Sequence, residues 1–259
     1  MKPLPSPLLV GMVHLPALPG SPGSNRSLDA VIEHALADAG TLHEAGFGAL
    51  MVENFGDAPF ARDRIEPVTV ASMAIALREI RRAIDVLIGV NCLRNDAASA
   101  LGIAAAVGAD YIRVNVHTGV AATDQGIIEG RAYETVRERD RLCPNVRIFA
   151  DIHVKHATQL SQPDLALAAE ETAYRGRADA LIVSGATTGR PVNMEELATV
   201  KHCVPDRPVL VGSGATAESI GDILRAADGA IVGSSLKPGG DIAKPIDPRL
   251  ARAFVKAAT

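Results

Sequence analysis

Short apolar runs recur along the chain, separated for the most part by helix-length segments whose apolar residues are spaced by three and four. Strands that alternate with helices in this way are typical of βαβ units. The first helix is the clearest, because an apolar stripe from Leu28 to Leu42 lies between a suitable N-cap, Ser27, and a suitable stop, Gly46. The predicted strands cover residues 8–15, 49–54, 86–93, 111–117, 147–155, 180–185, 209–214 and 230–236.

A weak internal repeat favours a closed barrel over an open sheet. Small residues precede every second predicted strand, at 45–49, 107–110, 175–180 and 226–230, where they allow a helix end to turn tightly into a strand. Four βαβα quarters fit a closed eight-stranded barrel better than a doubly wound sheet. We therefore predict an α/β fold, a (β/α)8 TIM barrel. No linker or low-complexity segment divides the sequence, so we predict a single domain over residues 1–259.

The fourth and fifth predicted strands each separate an apolar face from a polar face. Side chains alternate along a strand, so every second residue points the same way. One face carries Arg113, Asn115 and His117 on the fourth strand, and Phe149, Asp151, His153 and Lys155 on the fifth. Two successive strands of this kind indicate a sheet that helices cover on one side and that encloses a small polar interior on the other.

The candidate functional residues follow from the barrel, because TIM-barrel sites lie at the carboxyl ends of the strands. We predict catalytic roles for ionisable groups near these ends, namely Glu53, His117, Asp151, His153 and Lys155. The other polar or glycine positions there are predicted to bind substrate, namely His14, Asn91, Arg94, Asn115, Ser184, Gly212, Ser213, Gly214, Gly233, Ser234 and Ser235. A single buried polar residue at a strand end is common. This many polar residues around the open end of one barrel, its mouth, indicate a functional site.

The ends of the seventh and eighth predicted strands are the easiest to interpret. They read Gly212-Ser213-Gly214 and Gly233-Ser234-Ser235. Glycines bring backbone N–H groups close to a ligand, serine hydroxyls can donate, and TIM barrels often hold a phosphate at these two loops. Either glycine pair alone would be better explained as a tight turn. Both pairs in these positions predict a phosphate or another anion.

The polar cluster at the end of the fifth predicted strand is compatible with three chemistries. His153 can transfer protons near neutral pH while Asp151 fixes its tautomer. Alternatively, Glu53, Asp151 and His153 bind a divalent metal ion, the only cofactor that we consider. Lys155 can also form a Schiff base, although an amine beside a carboxylate normally stays charged. For Arg113, which lies deeper, an internal salt bridge with Asp151 is the preferred interpretation.

Composition and charge narrow the classes of partner. The net charge is −4 and there is no long basic run, which argues against a nucleic-acid partner. The chain is 47% hydrophobic but only 3% aromatic, so its core must consist mainly of Ala, Val, Ile and Leu. Three separated cysteines without a CxxC pair favour a reducing, cytoplasmic location. No run of about 18 apolar residues predicts a transmembrane segment, and peripheral membrane association stays open.

Two loops are predicted to shape the mouth. A stiff, proline-rich loop at 15–23 follows His14 as a wall, and residues 116–130 form a candidate lid. Phe55 and Phe60 bracket a Gly-Asp-Ala-Pro loop and pack either on a neighbouring subunit or under their own loop. The sequence does not decide between these two alternatives. We predict a homo-oligomer.

Several long motifs resemble those of the BtpA family. They are GMVHLPALPG at 11–20, VENFGDAPF at 52–60, VNCLRND at 90–96, IRVNVHTG at 112–119, DQG at 124–126, DIHVKH at 151–156 and LVGSG at 210–214. The resemblance extends from about Gly11 to Lys237 and implies a barrel of the ribulose-phosphate-binding type. The family is named for a cyanobacterial protein implicated in photosystem I biogenesis, and it also occurs in organisms without photosynthesis. The resemblance implies no particular reaction.

Three classes of function are compatible with these patterns. The first is an enzyme that acts on a phosphorylated sugar-like or nucleotide-like small molecule by acid–base chemistry, of the isomerase, aldolase or lyase type, with or without a divalent metal ion. The second is a non-catalytic biogenesis or stability factor for a membrane complex such as photosystem I. The third is a ligand-binding barrel without catalysis. The polar mouth favours the enzyme, because a scaffold gains nothing by burying ionisable groups.

Overall fold

The computed structural model describes residues 2–154, 156–161, 164–185 and 192–259. In chain order its strands are β1 (Leu8–His14), β2 (Ala49–Glu53), β3 (Leu87–Asn91), β4 (Tyr111–Val114), β5 (Val120–Thr123), β6 (Gly126–Glu129), β7 (Arg147–Ile152), β8 (Ala157–Gln159), β9 (Ala180–Val183), β10 (Val209–Val211) and β11 (Gly229–Val232). Its α-helices are α1 (Leu28–Ala45), α2 (Pro67–Ala83), α3 (Ala97–Val107), α4 (Ala132–Leu142), α5 (Leu165–Glu170), α6 (Met194–Cys203), α7 (Ile220–Ile223) and α8 (Pro248–Ala258). A π-helix (Glu171–Arg175) follows α5, and 3-10 turns cover Phe55–Asp57, Ser234–Leu236 and Pro238–Gly240.

Eight parallel strands close into a barrel in the order β1-β2-β3-β4-β7-β9-β10-β11, with β11 paired back to β1. This is the predicted TIM barrel. The register places the ends of the first three strands side by side, because His14 pairs with Glu53 and Glu53 pairs with Asn91. The carboxyl ends of the parallel strands therefore meet at one rim, as the site prediction requires.

The predicted strands run past their observed carboxyl ends. The fourth ends at Val114 instead of 117 and the fifth at Ile152 instead of 155. After β4, Val116 donates its N–H to Asn95 Oδ1 at 2.8 Å and accepts from Asn95 Nδ2 at 2.9 Å, so the chain turns toward the preceding βα loop. After β7, His153 adopts a left-handed backbone with φ of 50°. The predicted alternation therefore stops before His153.

A second, small sheet was not predicted. Strands β6, β5 and β8 pair antiparallel in that order beside the rim. Residues 116–130, the predicted lid, supply β5 and β6 as a hairpin. A separate apolar cluster of Val116, Ala121, Ile128 and Val154 holds this sheet on the barrel. The lid segment is thus a packed hairpin and not an irregular loop.

Apolar side chains fill the amino-terminal half of the barrel interior. The cluster includes Val10, Met51, Tyr111 and Phe149, all with little or no solvent exposure. Tyr111 and Phe149 stack with ring centroids 4.5 Å apart, and the Tyr111 hydroxyl donates to the Leu50 carbonyl at 2.7 Å. Because this half is filled, polar groups can occupy only the half near the carboxyl ends of the strands.

Side chains at the starts of three helices satisfy backbone N–H groups of the first turn. Ser27 accepts from Ala30 N at the start of α1, Asp96 from Ser99 N at α3, and Asn193 from Glu195 N at α6. The cap at Ser27 confirms the predicted start of the first helix. Among the helices that the structure describes, none combines the length and the hydropathy needed to cross a lipid bilayer.

Candidate active site at the barrel mouth

Glu53 and His14 lie together at the centre of the mouth. Glu53 ends β2, and its neighbours in register are His14 on β1 and Asn91 on β3. Its Oε1 lies 4.0 Å from His14 Nε2, and both side chains are more than nine-tenths buried. A carboxylate beside an imidazole is a pair that can take up and return a proton. The structure therefore brings together two of the predicted site residues from different strands.

A buried ion pair forms the floor of the mouth. Arg113 donates from Nε and Nη2 to the two Asp151 oxygens, both at 2.8 Å. Asn115 Nδ2 and Ser184 Oγ also donate to this carboxylate, at 3.2 and 3.3 Å. Asn91 Nδ2 in turn donates to Asn115 Oδ1 at 3.1 Å. The predicted internal salt bridge is confirmed, and the carboxylate of Asp151 is fully engaged in holding the floor.

The ion pair also fixes the charge of Arg113. Burial by itself disfavours the charged guanidinium, but the Asp151 carboxylate outweighs that effect, and the pKa of Arg113 is raised above its ordinary value. Arg113 therefore presents a permanent positive charge that Asp151 largely balances. It can orient a ligand anion but cannot act as a proton donor.

The six predicted anion-binding residues lie together around one small cavity. Gly212, Ser213 and Gly214 follow β10, Gly233, Ser234 and Ser235 follow β11, and all six line a cavity of about 40 Å³ with His14, Glu53 and Arg113. We call these six residues the cradle. Its two loops are joined, because Ser235 Oγ donates to the Ala215 carbonyl at 2.7 Å.

Two cradle glycines are also needed for packing. A Cβ on Gly212 would lie 2.6 Å from Ser184 Oγ, and one on Gly233 would lie 2.7 Å from His14 Cε1. Both contacts are closer than Cβ atoms approach neighbouring side chains. Close packing therefore explains why these two positions are glycine. It does not explain the serines of the cradle.

A larger cavity of about 420 Å³ adjoins the cradle. It is lined by Glu53, Phe55, Phe60, Leu93, Arg94, Arg113, Asn115, Asp124 and His156. Glu53, Phe55 and Arg113 border both cavities, so the two cavities adjoin at these residues, and together we call them the mouth. A volume of this size lies within the range of small-molecule sites, about 300–1,000 Å³.

Several predicted site residues do not border this mouth. His117 is 1% exposed and its Nε2 lies 2.7 Å from the Gly176 carbonyl beneath the π-helix. Burial lowers the pKa of the His117 imidazole, and the bond to Gly176 offsets burial only in part. His153 lines a separate cavity of about 30 Å³, next to Asn115 and Asp151. Lys155 lies outside the described residues.

The described residues hold no group of three or more His, Cys, Asp or Glu side chains that is arranged to bind a metal ion. Of the three predicted ligands, Glu53 borders the mouth, Asp151 is bound by Arg113 and His153 faces another cavity. The metal hypothesis therefore gains no support from the geometry of these groups, and no step below depends on it.

Besides Arg113, which was predicted to form an internal salt bridge, four aromatic or ionisable residues of the large cavity were not among the predicted site residues. Phe55 and Phe60 form one side of the large cavity, whereas Asp124 from the β5–β6 turn and His156 reach it from the small sheet. The signal for the two rings was present in the sequence, because the GDAP loop that they bracket begins three residues after Glu53. Nothing in the local sequence indicates that Asp124 reaches the rim, since that depends on how the hairpin docks.

Comparisons with known proteins agree with this architecture. The sequence profile of the BtpA family matches residues 6–259. The chain is 46% identical over 249 residues to the photosystem I biogenesis protein BtpA of Synechocystis, covering 96% of this chain and 87% of that one. It is 49% identical over 250 residues to an uncharacterised protein of Thermococcus kodakarensis, covering 96% and 94% of the two chains. The phosphoribosyl anthranilate isomerase of Thermus thermophilus has a similar structure, with a TM-score of 0.59, 14% identity and coverage of 96% and 97%.

Proposed function

This chain belongs to the BtpA family, and from the geometry of its mouth we propose that it is an enzyme acting on a phosphorylated small molecule by proton transfer. The ligand is sugar-like or nucleotide-like. Its phosphate occupies the cradle, and its reacting atoms lie in the larger cavity beside Glu53. The reaction type is that of an isomerase, aldolase or lyase.

The observation that carries this proposal is the position of Glu53 where the two cavities of the mouth adjoin. The same carboxylate borders the cradle and the 420 Å³ cavity, with His14 Nε2 at 4.0 Å. A phosphate held in the cradle would place the adjoining carbons of the ligand within reach of this pair. Burying a carboxylate and an imidazole at a cavity wall costs stability. Ionisable groups that are kept in such a cleft are therefore candidates for a functional role.

Four polar groups of the mouth have roles in the proposed reaction. Glu53 takes a proton from the substrate and returns it to a neighbouring atom, while His14 donates to the oxygen on which charge develops. Arg113 and Asn115 orient the substrate above the floor that Asp151 holds. Proton transfer of this kind consumes no co-reactant. His153 stays a candidate for a supporting role, since it approaches the floor from the adjacent cavity.

Calorimetric titration with inorganic phosphate and ribose 5-phosphate tests the cradle. Both should bind, and Ser234→Asp should weaken both by at least about tenfold, because a carboxylate in the cradle repels the anion. The matched control is Ser6→Asp, which adds the same charge at an exposed position at the amino ends of the strands. Equal affinities in the two variants, or no binding by the unmodified protein, would contradict the proposal.

Deuterium exchange tests the proton transfer. A panel of sugar phosphates incubated with the protein in D2O should include one that exchanges a carbon-bound hydrogen, detected by proton NMR. Glu53→Gln should abolish that exchange while the ligand still binds, because the amide keeps the shape of the carboxylate but cannot accept the proton. Exchange that persists in this variant would remove Glu53 from the proposed role.

A second candidate function rests on the name of the Synechocystis relative. A biogenesis factor would bind its membrane complex without turnover and would lack the exchange activity. The relative from Thermococcus kodakarensis is at least as similar to this chain, and its name makes no reference to photosystem I. A role that both relatives share is therefore better explained by a small-molecule reaction at the barrel mouth than by photosystem I biogenesis. The predicted homo-oligomer and cytoplasmic location stay predictions.

A further inference from the structure

The phenylalanines of this chain divide into two groups. Phe47, Phe149 and Phe254 are at most 1% exposed and belong to the core. The other two of the five, Phe55 and Phe60, are only partly buried, and both line the large cavity of the mouth. A partly exposed aromatic ring leaves apolar surface in contact with water. Two such rings on one wall of a cavity need an explanation beyond core packing.

The two rings form a continuous wall that begins beside the catalytic pair. The Phe55 ring contacts the His14 ring edge-on, with centroids 5.0 Å apart, and the Phe60 ring contacts Phe55 edge-on at 6.2 Å. Phe55 borders the cradle as well as the large cavity, whereas Phe60 borders the large cavity. The wall therefore leads away from the cradle, past Glu53, toward the outer part of the mouth.

The loop that carries this wall is rigidly held. Asp57 accepts from Leu18 N at 2.8 Å and from Asn54 Nδ2 at 3.1 Å, and Asn54 Oδ1 accepts from Leu93 N at 2.8 Å. A Cβ on Gly56 would lie 2.3 Å from Ala17 N, so the loop packs directly against the backbone of the neighbouring loop. Both rings are thus positioned before any ligand arrives, which lowers the entropy cost of binding.

We propose that the ligand carries a planar ring in addition to its phosphate, as a nucleoside 5′-monophosphate does, and that this ring packs on Phe55 and Phe60. The proposal rests on the proposed function, because it takes the phosphate to be in the cradle. It decides between the two ligand classes in favour of the nucleotide-like one. The polar groups between cradle and wall, Glu53, Arg113 and Asn115, face the sugar.

Comparing three ligands by calorimetry tests this inference. Inorganic phosphate, ribose 5-phosphate and adenosine 5′-monophosphate share the phosphate, and only the third carries a planar ring. Stacking of a base on aromatic side chains predicts that adenosine 5′-monophosphate binds at least about tenfold more tightly than ribose 5-phosphate. Phe60→Leu should remove most of this preference and leave the affinity for ribose 5-phosphate unchanged.

Two further variants keep the result interpretable. Phe60→Tyr retains the ring face and should retain the preference, which separates loss of the ring from general damage. Tyr133→Leu removes an exposed aromatic residue of α4 that does not border the mouth and should change neither affinity. The thermal transition of each variant shows whether it is folded.

The possible outcomes separate the two proposals. A preference for adenosine 5′-monophosphate that disappears in Phe60→Leu supports the aromatic wall. Equal affinity for adenosine 5′-monophosphate and ribose 5-phosphate, or a preference that survives Phe60→Leu, overturns it and leaves the proposed phosphate-binding enzyme intact. Failure of all three ligands to bind overturns the proposed function and this inference with it.

Discussion

Arg113 and Asp151 form a deeply buried ion pair at the mouth. Their side chains are 3% and 0% exposed, and two bonds of 2.8 Å join them. Removing one member of a buried pair leaves the other charged in a region of low dielectric constant. The pair therefore matters less for the stability that it adds than for the penalty that appears when it is broken.

Asp151→Asn should lower the free energy of unfolding by about 3–5 kcal/mol, because the Arg113 guanidinium would remain buried without a counter-charge. Urea denaturation measures this loss. The double variant Arg113→Met, Asp151→Leu should recover part of it, since neither side chain then carries charge. A double variant whose loss relative to the unmodified protein equals the sum of the losses of Arg113→Met and Asp151→Leu would show that the two residues act independently.

His117 makes stability depend on pH. Its folded-state pKa is lowered, mainly by burial, so the unfolded chain takes up a proton at a pH where the folded protein does not. Stability is therefore complete above the unfolded value of about 6.5 and is lost as pH falls below it, by at most about 1.4 kcal/mol per pH unit. His34, whose pKa is also lowered by burial, contributes in the same direction.

His117→Gln should flatten this dependence, because glutamine can still donate to the Gly176 carbonyl but does not titrate. Unfolding free energies measured between pH 7.5 and 5.5 should fall less steeply in the variant than in the unmodified protein. Some slope should remain because of His34. Identical slopes would mean that His117 is protonated in the folded state or accessible to water.

Among the elements, the chain after β11 depends on an ion pair with α1. Lys237, 1% exposed, donates to Asp38 Oδ2 at 3.3 Å and to the carbonyls of Ile242 and Lys244 at 3.1 and 2.7 Å. Asp38 Oδ1 accepts from Ile246 N at 2.9 Å. Ile242 lines the cradle cavity, so this pair positions one wall of the anion site.

Lys237→Met should loosen residues 237–246, because their carbonyls lose the buried ammonium and Asp38 loses its counter-charge. Hydrogen–deuterium exchange should rise in this segment first, while α3 and α4, which flank β4 on the opposite side of the barrel, keep their protection. Lys256→Met, at an exposed position of α8, is the matched control and should change nothing. A uniform rise over the whole chain would indicate global destabilisation instead of a local role.

The elements also show what the sequence can and cannot predict. Apolar runs identified the eight barrel strands, because a buried parallel strand needs apolar residues on both faces. The predicted carboxyl ends of these strands lie too far along the chain. The alternation of Asp151, His153 and Lys155 is typical of a strand, although the observed strand ends at Ile152. The small sheet was missed because its short strands, Val-Ala-Ala-Thr, Gly-Ile-Ile-Glu and Ala-Thr-Gln, do not form the apolar runs that identify the barrel strands. Its one local signal was the Asp124-Gln125-Gly126 turn.

At the scale of the whole molecule, barrel closure decides which candidates become neighbours. His14, Glu53 and the cradle could be grouped from sequence, because strand order alone brings their strand ends to one rim. His117 could not be excluded from the candidate site by strand order, since its position depends on the packing of Gly176 and the π-helix that precedes it. Topology thus predicts the rim, whereas the docking of loops determines which side chains face the mouth.

Closure of the barrel depends on a glycine at the seam between the first and last strands. Gly229 of β11 pairs with Leu8 of β1, and a Cβ on Gly229 would lie 2.0 Å from the Leu8 carbonyl oxygen. That neighbour is backbone held in the sheet, so it cannot move aside as a flexible side chain can. Gly102, in the middle of α3, has no atom within 4 Å of a Cβ built on it, so there an added methyl group meets only open space.

The same substitution at the two glycines should therefore have opposite effects. Gly229→Ala should lower the free energy of unfolding by about 1–3 kcal/mol or more, because β1 and β11 must separate. Gly102→Ala should raise it by about 0.5–1 kcal/mol, because alanine restricts the unfolded chain and favours the helix. Differential scanning calorimetry should record these changes as shifts in Tm, of about 2–4 °C for each kcal/mol in a chain of this size. A Gly229→Ala protein as stable as the original would mean that the seam is looser than the parallel pairing of β1 and β11 implies.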